Sequence, residues 1–205
     1  MALDQATSVG NDATEPVLKQ LADWAGDVSL DWPELALERA AHAFGDTVAC
    51  MIAGADDASP ANVRRGVSAW GSGLSSVVGQ TEKLPAPWAA MANGTAAHAL
   101  DYDDNVQVVL GHTSAVQVPA LLALGEAIGA TGRQLVDAYI VGFEIQMALG
   151  RGVNWSHYNI GWHSTSTIIG IGTAGACARL LGLDRLGMAH ALSLGTSMAC
   201  GPKAQ

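Results

Sequence analysis

The 205-residue sequence predicts an all-α protein, and three observations carry that prediction. Apolar residues recur at i, i+3 and i+4 over most of the chain, the spacing of a helix with one buried face. Aromatic residues make up only 5% while Ala and Gly abound, which suits closely packed helices better than a sandwich built from bulky side chains. Strand character is confined to one short run, SSVVG at 75–79, so at most one short strand is expected.

Each element has its own signal. Residues 1–13 are polar and acidic and read as a flexible tail, leaving 14–205 as one helical domain. Thr14, Glu15 and Pro16 form a helix start, a capping hydroxyl before an early proline, with Val17, Leu18, Leu21 and Trp24 following at helical spacing. Asp31, Trp32 and Pro33 repeat that signal for a helix over 35–52 that stops at Gly54. Ser59 and Pro60 open a third through Trp70, and a proline-bearing stretch after the strand leads into a helix over 89–100. Further helices are expected at 113–129, 132–150, 164–182 and 184–199, roughly eight in all. Pro119 falls in the first turns of one of them and either kinks it or sets its start.

Composition excludes several function classes. Nineteen acidic residues face ten basic ones, and the one basic doublet is Arg64 with Arg65, so general nucleic-acid binding is not expected. The apolar stretch at 168–183 is interrupted by Arg179 and falls short of the ~20 residues a membrane span needs, which makes it a buried core helix. The N-terminus lacks a basic segment followed by an apolar one, so the expected location is the cytoplasm. Cys50, Cys177 and Cys200 are too scattered for a zinc site or a disulfide framework and read as free thiols.

Three segments carry chemical signals. The run GIGTAG at 170–175 fits a dinucleotide fingerprint, but the carboxylate needed ~20 residues later is missing, and close helix packing explains the glycines better. The second segment holds His98, Asp101, Asp103, Asp104 and Asn105, followed by Gly111, His112, Thr113 and Ser114. If the preceding helix reaches Asp101, His98 and Asp101 share one face; Asp103 and Asp104 then lie in a turn that either serves a site or caps the helix starting near Thr113. Neither HExxH nor calcium-loop spacing is present, so no metal is expected. The third segment runs from Trp155 through His157 and Trp162 to His163, which sits at or just before a helix N-terminus. Such a position favours anions and disfavours the imidazolium form, suiting a carboxylate site or a histidine kept neutral for proton transfer; a capping histidine is the plainer alternative.

The runs AAMANGTAAHALDYDD at 89–104, GHTSAVQVPALLALGEA at 111–127, VGFEIQ at 141–146 and GWHSTSTIIGIGTAGACARLLGL at 161–183 resemble, in order and spacing, the MmgE/PrpD family. The resemblance runs from about Leu18 to the last residue. It implies a large all-helical domain, a smaller α/β domain absent from this chain, a homodimer, and no metal or iron–sulfur cofactor. It also implies proton abstraction beside a carboxylate of a small di- or tricarboxylic acid. Dehydration of 2-methylcitrate is the default activity; decarboxylation of cis-aconitate and epimerisation of iminodisuccinate are alternatives, as is a non-catalytic helical oligomerisation fragment. By position, Asp101 is similar to the aspartate of the family's H-x-x-D-[FY]-D-D motif, His112 to its G-H or T-H histidine, and His163 to the histidine opening a later helix. Asn105 stands where some relatives carry Thr. The resemblance makes His112 and His163 candidate acid/base groups, Asp101 a base or an orienter of a histidine, and Asn105 a substrate hydrogen-bond donor. The family's T-K-P-L-H segment is expected after residue 205, so Lys203 is not its lysine. Helices built for further partners are expected to show exposed apolar faces.

Overall fold

The computed structural model describes residues 16–153 and 155–203; the expected tail and the capping Thr14 and Glu15 lie outside the described residues. The elements are α1 (Val17–Asp27), α2 (Glu34–Gly54), α3 (Ala58–Val67), α4 (Ala86–His98), α5 (Thr113–Ile128), α6 (Gly132–Val153), α7 (Ser156–Asn159), α8 (Ile168–Leu180) and α9 (Arg185–Met198). Two 3₁₀ turns, Ser68–Trp70 and Ser164–Ser166, join them. The protein is therefore all-α apart from a hairpin of β1 (Ser75–Ser76) and β2 (Lys83–Leu84), paired Ser75 to Leu84. The expected strand forms over only two residues, and its partner arises in the stretch before α4. A lone strand leaves its backbone groups unpaired, so a second one must be found nearby.

Local signals set the helix ends. Pro16 and Pro33 precede α1 and α2, and the Asp57 side chain, rather than Ser59, caps α3 by accepting from Ser59 N. Gly129, at φ 70°, takes the left-handed position that closes α5. Asp184 caps α9 by accepting from Gly187 N at 2.8 Å. Pro119 does not start α5: the helix opens at Thr113 and runs through the proline to Ile128. A proline at 119 has no N–H for the carbonyl of Ala115, and α4 passes there with Gly94, whose absent Cβ would lie 3.1 Å from that oxygen.

The core lies where α5, α6 and α8 meet, around Leu121, Ile145 and Ile169, all fully buried. Burial of one such side chain contributes about 1.5–3 kcal/mol, so this layer anchors everything attached to it. Glycines let α6 and α8 approach closely. A Cβ on Gly142 would meet Ala176 Cβ at 2.6 Å, and one on Gly172 would meet Gln146 Cγ at 2.3 Å. A Cβ on Gly175 would meet Ile145 Cδ1 at 2.5 Å. The GIGTAG run thus lies inside one continuous helix, and among the described residues no strand leads directly into it, which rules out the dinucleotide turn.

The arginine that interrupts the apolar stretch is spent on the fold. Arg179 Nε donates to Asp137 Oδ2 at 2.7 Å, and its other nitrogens donate to the carbonyls of Ala25 and Val28 at the end of α1, each at 3.1 Å. Asp137 also accepts from Trp32 Nε1 at 2.7 Å. One buried ion pair therefore ties α1, α6 and α8 together. Among the described residues no helix is long and apolar enough to cross a membrane. Leu186, Leu194 and Met198 of α9 are 63%, 67% and 77% exposed, an apolar face of the kind the sequence predicts.

Candidate functional site

The site is assembled by the end of α4, the loop to α5 and the 3₁₀ turn before α8. α4 stops at His98, and Asp101 takes a left-handed backbone at φ 56°, donating its N–H to His98 O at 3.2 Å. The expected helical face shared by His98 and Asp101 therefore does not form. Aspartate tolerates that conformation better than most residues, and the turn leaves its carboxylate 77% exposed.

The loop from 105 to 112 is held at both ends. Val106 and Gly111 form a β-bridge, with Val106 N donating to Gly111 O at 3.0 Å. Between them Val109 is 1% exposed and packs with Met147, Ile168 and Ile169. Gly150 of α6 leaves the room, since a Cβ there would lie 2.7 Å from Val109 Cγ1. Gly111 is equally constrained: a Cβ would sit 3.0 Å from both Thr165 Oγ1 and Ile169 Cδ1. His112 N then donates to Thr165 Oγ1 at 3.1 Å, which joins this loop to the 3₁₀ turn.

Five of the groups from His98 to His112 converge, and two of them, His98 and Asp103, were not among the expected site residues. The Asp103 side chain has no exposed surface, and its Oδ1 lies 2.9 Å from His98 Nδ1. Its Oδ2 is 3.2 Å from the same nitrogen and 3.0 Å from His112 Nδ1. The second contact is an ion-pair distance without hydrogen-bond alignment, so His112 Nδ1 is buried with no aligned partner. The two imidazole rings are 4.5 Å apart at 58°. On the other side of His112, Nε2 lies 3.4 Å from Asn105 Nδ2 and 3.7 Å from Asp101 Oδ1. Asp101, Asn105 and His112, three of the expected residues, are thus brought together. Asp103 lies closer to His112 than Asp101 does, and its side chain is buried where that of Asp101 is exposed.

Asp104 has a different task. Its carboxylate accepts from Ser114 N and from Thr113 Oγ1, each at 3.0 Å, and so caps α5. Ser114 Oγ bonds to both Asp104 and Tyr139 OH, and burial pushes the Tyr139 phenol up to about 12. The capping interpretation thus holds for Asp104 and fails for its neighbour Asp103.

His163 precedes the 3₁₀ turn rather than α8 itself, which starts five residues later. Its N–H donates to Gly201 O at 2.9 Å, while Trp162 bridges to Pro202. Burial lowers its pKa, and the charges of His98 and His112 lower it further. Its tie to the cluster is electrostatic, and the direction favours a neutral ring. The hydrogen bond to Asp103 raises the pKa of His98. Burial alone would raise that of Asp103, but the His98 hydrogen bond and the charges of both histidines outweigh it and leave it lowered. Lys203 is engaged elsewhere: its ammonium donates to Tyr158 O at 3.0 Å and lies 3.6 Å over the Tyr158 ring.

An open cavity of about 680 Å³ adjoins the cluster, with Met91, Thr95, His98, Val116 and Thr165 among its lining residues. It reaches the cluster only through His98 and Thr165. His98, Asp101, Asp103 and His112 each offer a donor atom within 4.8 Å of the others, a set whose chemistry suits a divalent metal. The signal for His98 and Asp103 was present in the H-x-x-D-x-D spacing; the left-handed turn that separates Asp101 from His98 was not.

The family profile described as MmgE/PrpD N-terminal domain matches residues 19–205. The cis-aconitate decarboxylase of Aspergillus terreus is 30% identical over 95% of this chain and 41% of its own length. A cis-aconitate decarboxylase-like protein, oryM, of Aspergillus oryzae is 27% identical over 90% of this chain and 39% of its own. The human cis-aconitate decarboxylase is 33% identical over 66% of this chain and 29% of its own. The chain thus spans at most about two fifths of the length of these curated relatives.

Proposed function

The chain belongs to the MmgE/PrpD family, and on that premise we propose that it carries the proton-transfer groups of a lyase acting on a small di- or tricarboxylic acid. The relatives named above favour decarboxylation of cis-aconitate over the default dehydration of 2-methylcitrate. The observation that supports the reading most is the convergence of Asp101, Asn105 and His112, with His163 lowered in pKa by burial and by the charges of His98 and His112.

Breaking a C–H or C–CO₂ bond beside a carboxylate leaves an electron pair. A neighbouring unsaturated or carboxylate group must take up that pair, and an acid must quench it. His163, kept neutral, is the base of choice near neutral pH. His112 supplies or collects the second proton at Nε2, the atom that faces Asn105 and Asp101. Asn105 donates to a substrate oxygen. His98, whose protonated form Asp103 favours, is the cation that the cluster itself offers to a carboxylate. A homodimer belongs to the same proposal.

The test is turnover of the purified protein on cis-aconitate, 2-methylcitrate, citrate and iminodisuccinate in deuterated water, followed by NMR. The expected result is loss of CO₂ from cis-aconitate with one deuterium delivered to carbon. His112→Gln and His163→Gln should each lower the rate by at least ~100-fold. A folded sample that neither turns over nor exchanges any of the four acids would favour the non-catalytic alternative.

A further inference from the structure

Two groups press on opposite edges of the His112 ring, and they demand the same protonation state. At Nδ1 the nearest partner is Asp103 Oδ2, an acceptor, at 3.0 Å. At Nε2 the nearest partner is Asn105 Nδ2, a donor, at 3.4 Å. An imidazole with its proton on Nδ1 satisfies both; one with its proton on Nε2 satisfies neither. The buried Nδ1 has Asp103 Oδ2 within ion-pair distance and no aligned hydrogen-bond partner.

We propose that Asp103 is the positioning residue of this site: its carboxylate holds His98 and His112 together in the Nδ1–H form and so presents the Nε2 lone pair of His112 to the substrate. The inference rests on the lyase function proposed above only for its kinetic consequence. Asp101 does not do this work, because its nearest oxygen is 3.7 Å from Nε2 and its carboxylate is largely in water. Asp103 is suited to it, with no exposed side-chain surface, Oδ1 2.9 Å from His98 Nδ1 and Oδ2 3.0 Å from His112 Nδ1. A carboxylate so placed selects the tautomer and then stabilises the imidazolium that forms when Nε2 takes a proton. His98 holds the other side of Asp103 and keeps it from turning away.

Histidine side-chain ¹⁵N correlation spectra of the protein, with and without Asp103→Asn, test this without any substrate. Nδ1–H at His112 in the native protein, lost or redistributed in Asp103→Asn, is the expected result. The Nε2–H form in the native protein, or an unchanged Nδ1–H form in the variant, would overturn it. Should Asp103→Asn fail to fold, the native tautomer decides alone, with Asp103→Glu expected to retain Nδ1–H. Titration with Zn²⁺ is the counter-test: stoichiometric binding that strips the Nδ1 protons from His98 and His112 would show a metal site instead. On an acid that the protein turns over, Asp103→Asn should lower kcat at least ~100-fold and change KM by less than about threefold. Equal loss in kcat and gain in KM would assign Asp103 to substrate binding and overturn the positioning role. Absence of turnover on every acid would refute the proposed function and leave the tautomer measurement to decide this one.

Discussion

Replacing Asp137 by Ala tests the most connected polar group in the core. Asp137 is 4% exposed and accepts from Trp32 Nε1 at 2.7 Å and from Arg179 Nε at 2.7 Å. The Arg179 side chain is only 16% exposed. Without Asp137, its guanidinium keeps the carbonyls of Ala25 and Val28 but has no countercharge. Removing one partner of a buried pair costs about 3–5 kcal/mol, against a total stability of about 5–15 kcal/mol for a domain. At about 2–4 °C per kcal/mol for a chain of this length, Tm should fall by roughly 6–20 °C. Urea unfolding followed by circular dichroism measures the loss directly. The double variant Asp137→Leu with Arg179→Met should recover only part of it, because Trp32 Nε1 and two carbonyls at the end of α1 still lose partners. Arg179 sits about 16 Å along α8 from Ile168, so turnover well below the transition should be unchanged. A loss under about 1 kcal/mol, the value of a solvated surface pair, would refute the claim that this ion pair is dry and joins three helices.

Two further predictions concern the site. The folded-state pKa of His98 is raised, so its contribution to stability is present in full below about 6.5 and is lost as pH rises through the higher folded value. Asp103 is lowered, so its contribution is present in full above about 3.9 and is lost as pH falls through the lower folded value. The stability difference between the native protein and His98→Gln should therefore be greatest between about pH 4 and 6.5 and shrink above that; a difference flat across the range would remove the pair as its cause. Separately, Gly111→Ala would place a Cβ 3.0 Å from Thr165 Oγ1 and push the loop off the 3₁₀ turn. It should lower turnover far more than Tm, and a variant with normal turnover would show that the His112 N to Thr165 bond does not hold the site.

Helix identity was legible because its signals are local. Pro33, Asp184 and the glycine at 129 act within a turn of where they stand, and the helices end within a few residues of the expected places. The partners of polar groups were not legible. Arg179 meets Asp137 from 42 positions away, and nothing in the spacing of either announces the other. The four-residue α7, set in the segment expected to be loop, is too short for a hydrophobic period to reveal.

Within the site, residue identity and residue role separate for the same reason. The resemblance picked out Asp101, Asn105, His112 and His163 as positions, and three of them do converge. Their division of labour follows from one backbone dihedral. Had α4 continued through Asp101, that carboxylate would lie three residues along the same face as His98 and compete for its Nδ1. The left-handed turn at Asp101 removes it from that face and leaves it in water beside Nε2 of His112. His98 Nδ1 then goes to Asp103, whose second oxygen faces His112, while Asp104 turns to the backbone of α5. Three aspartates within four residues thus take a solvent-facing, a histidine-facing and a helix-capping position. Chemically identical side chains acquire different roles because the chain leaves a helix at His98 rather than one turn later.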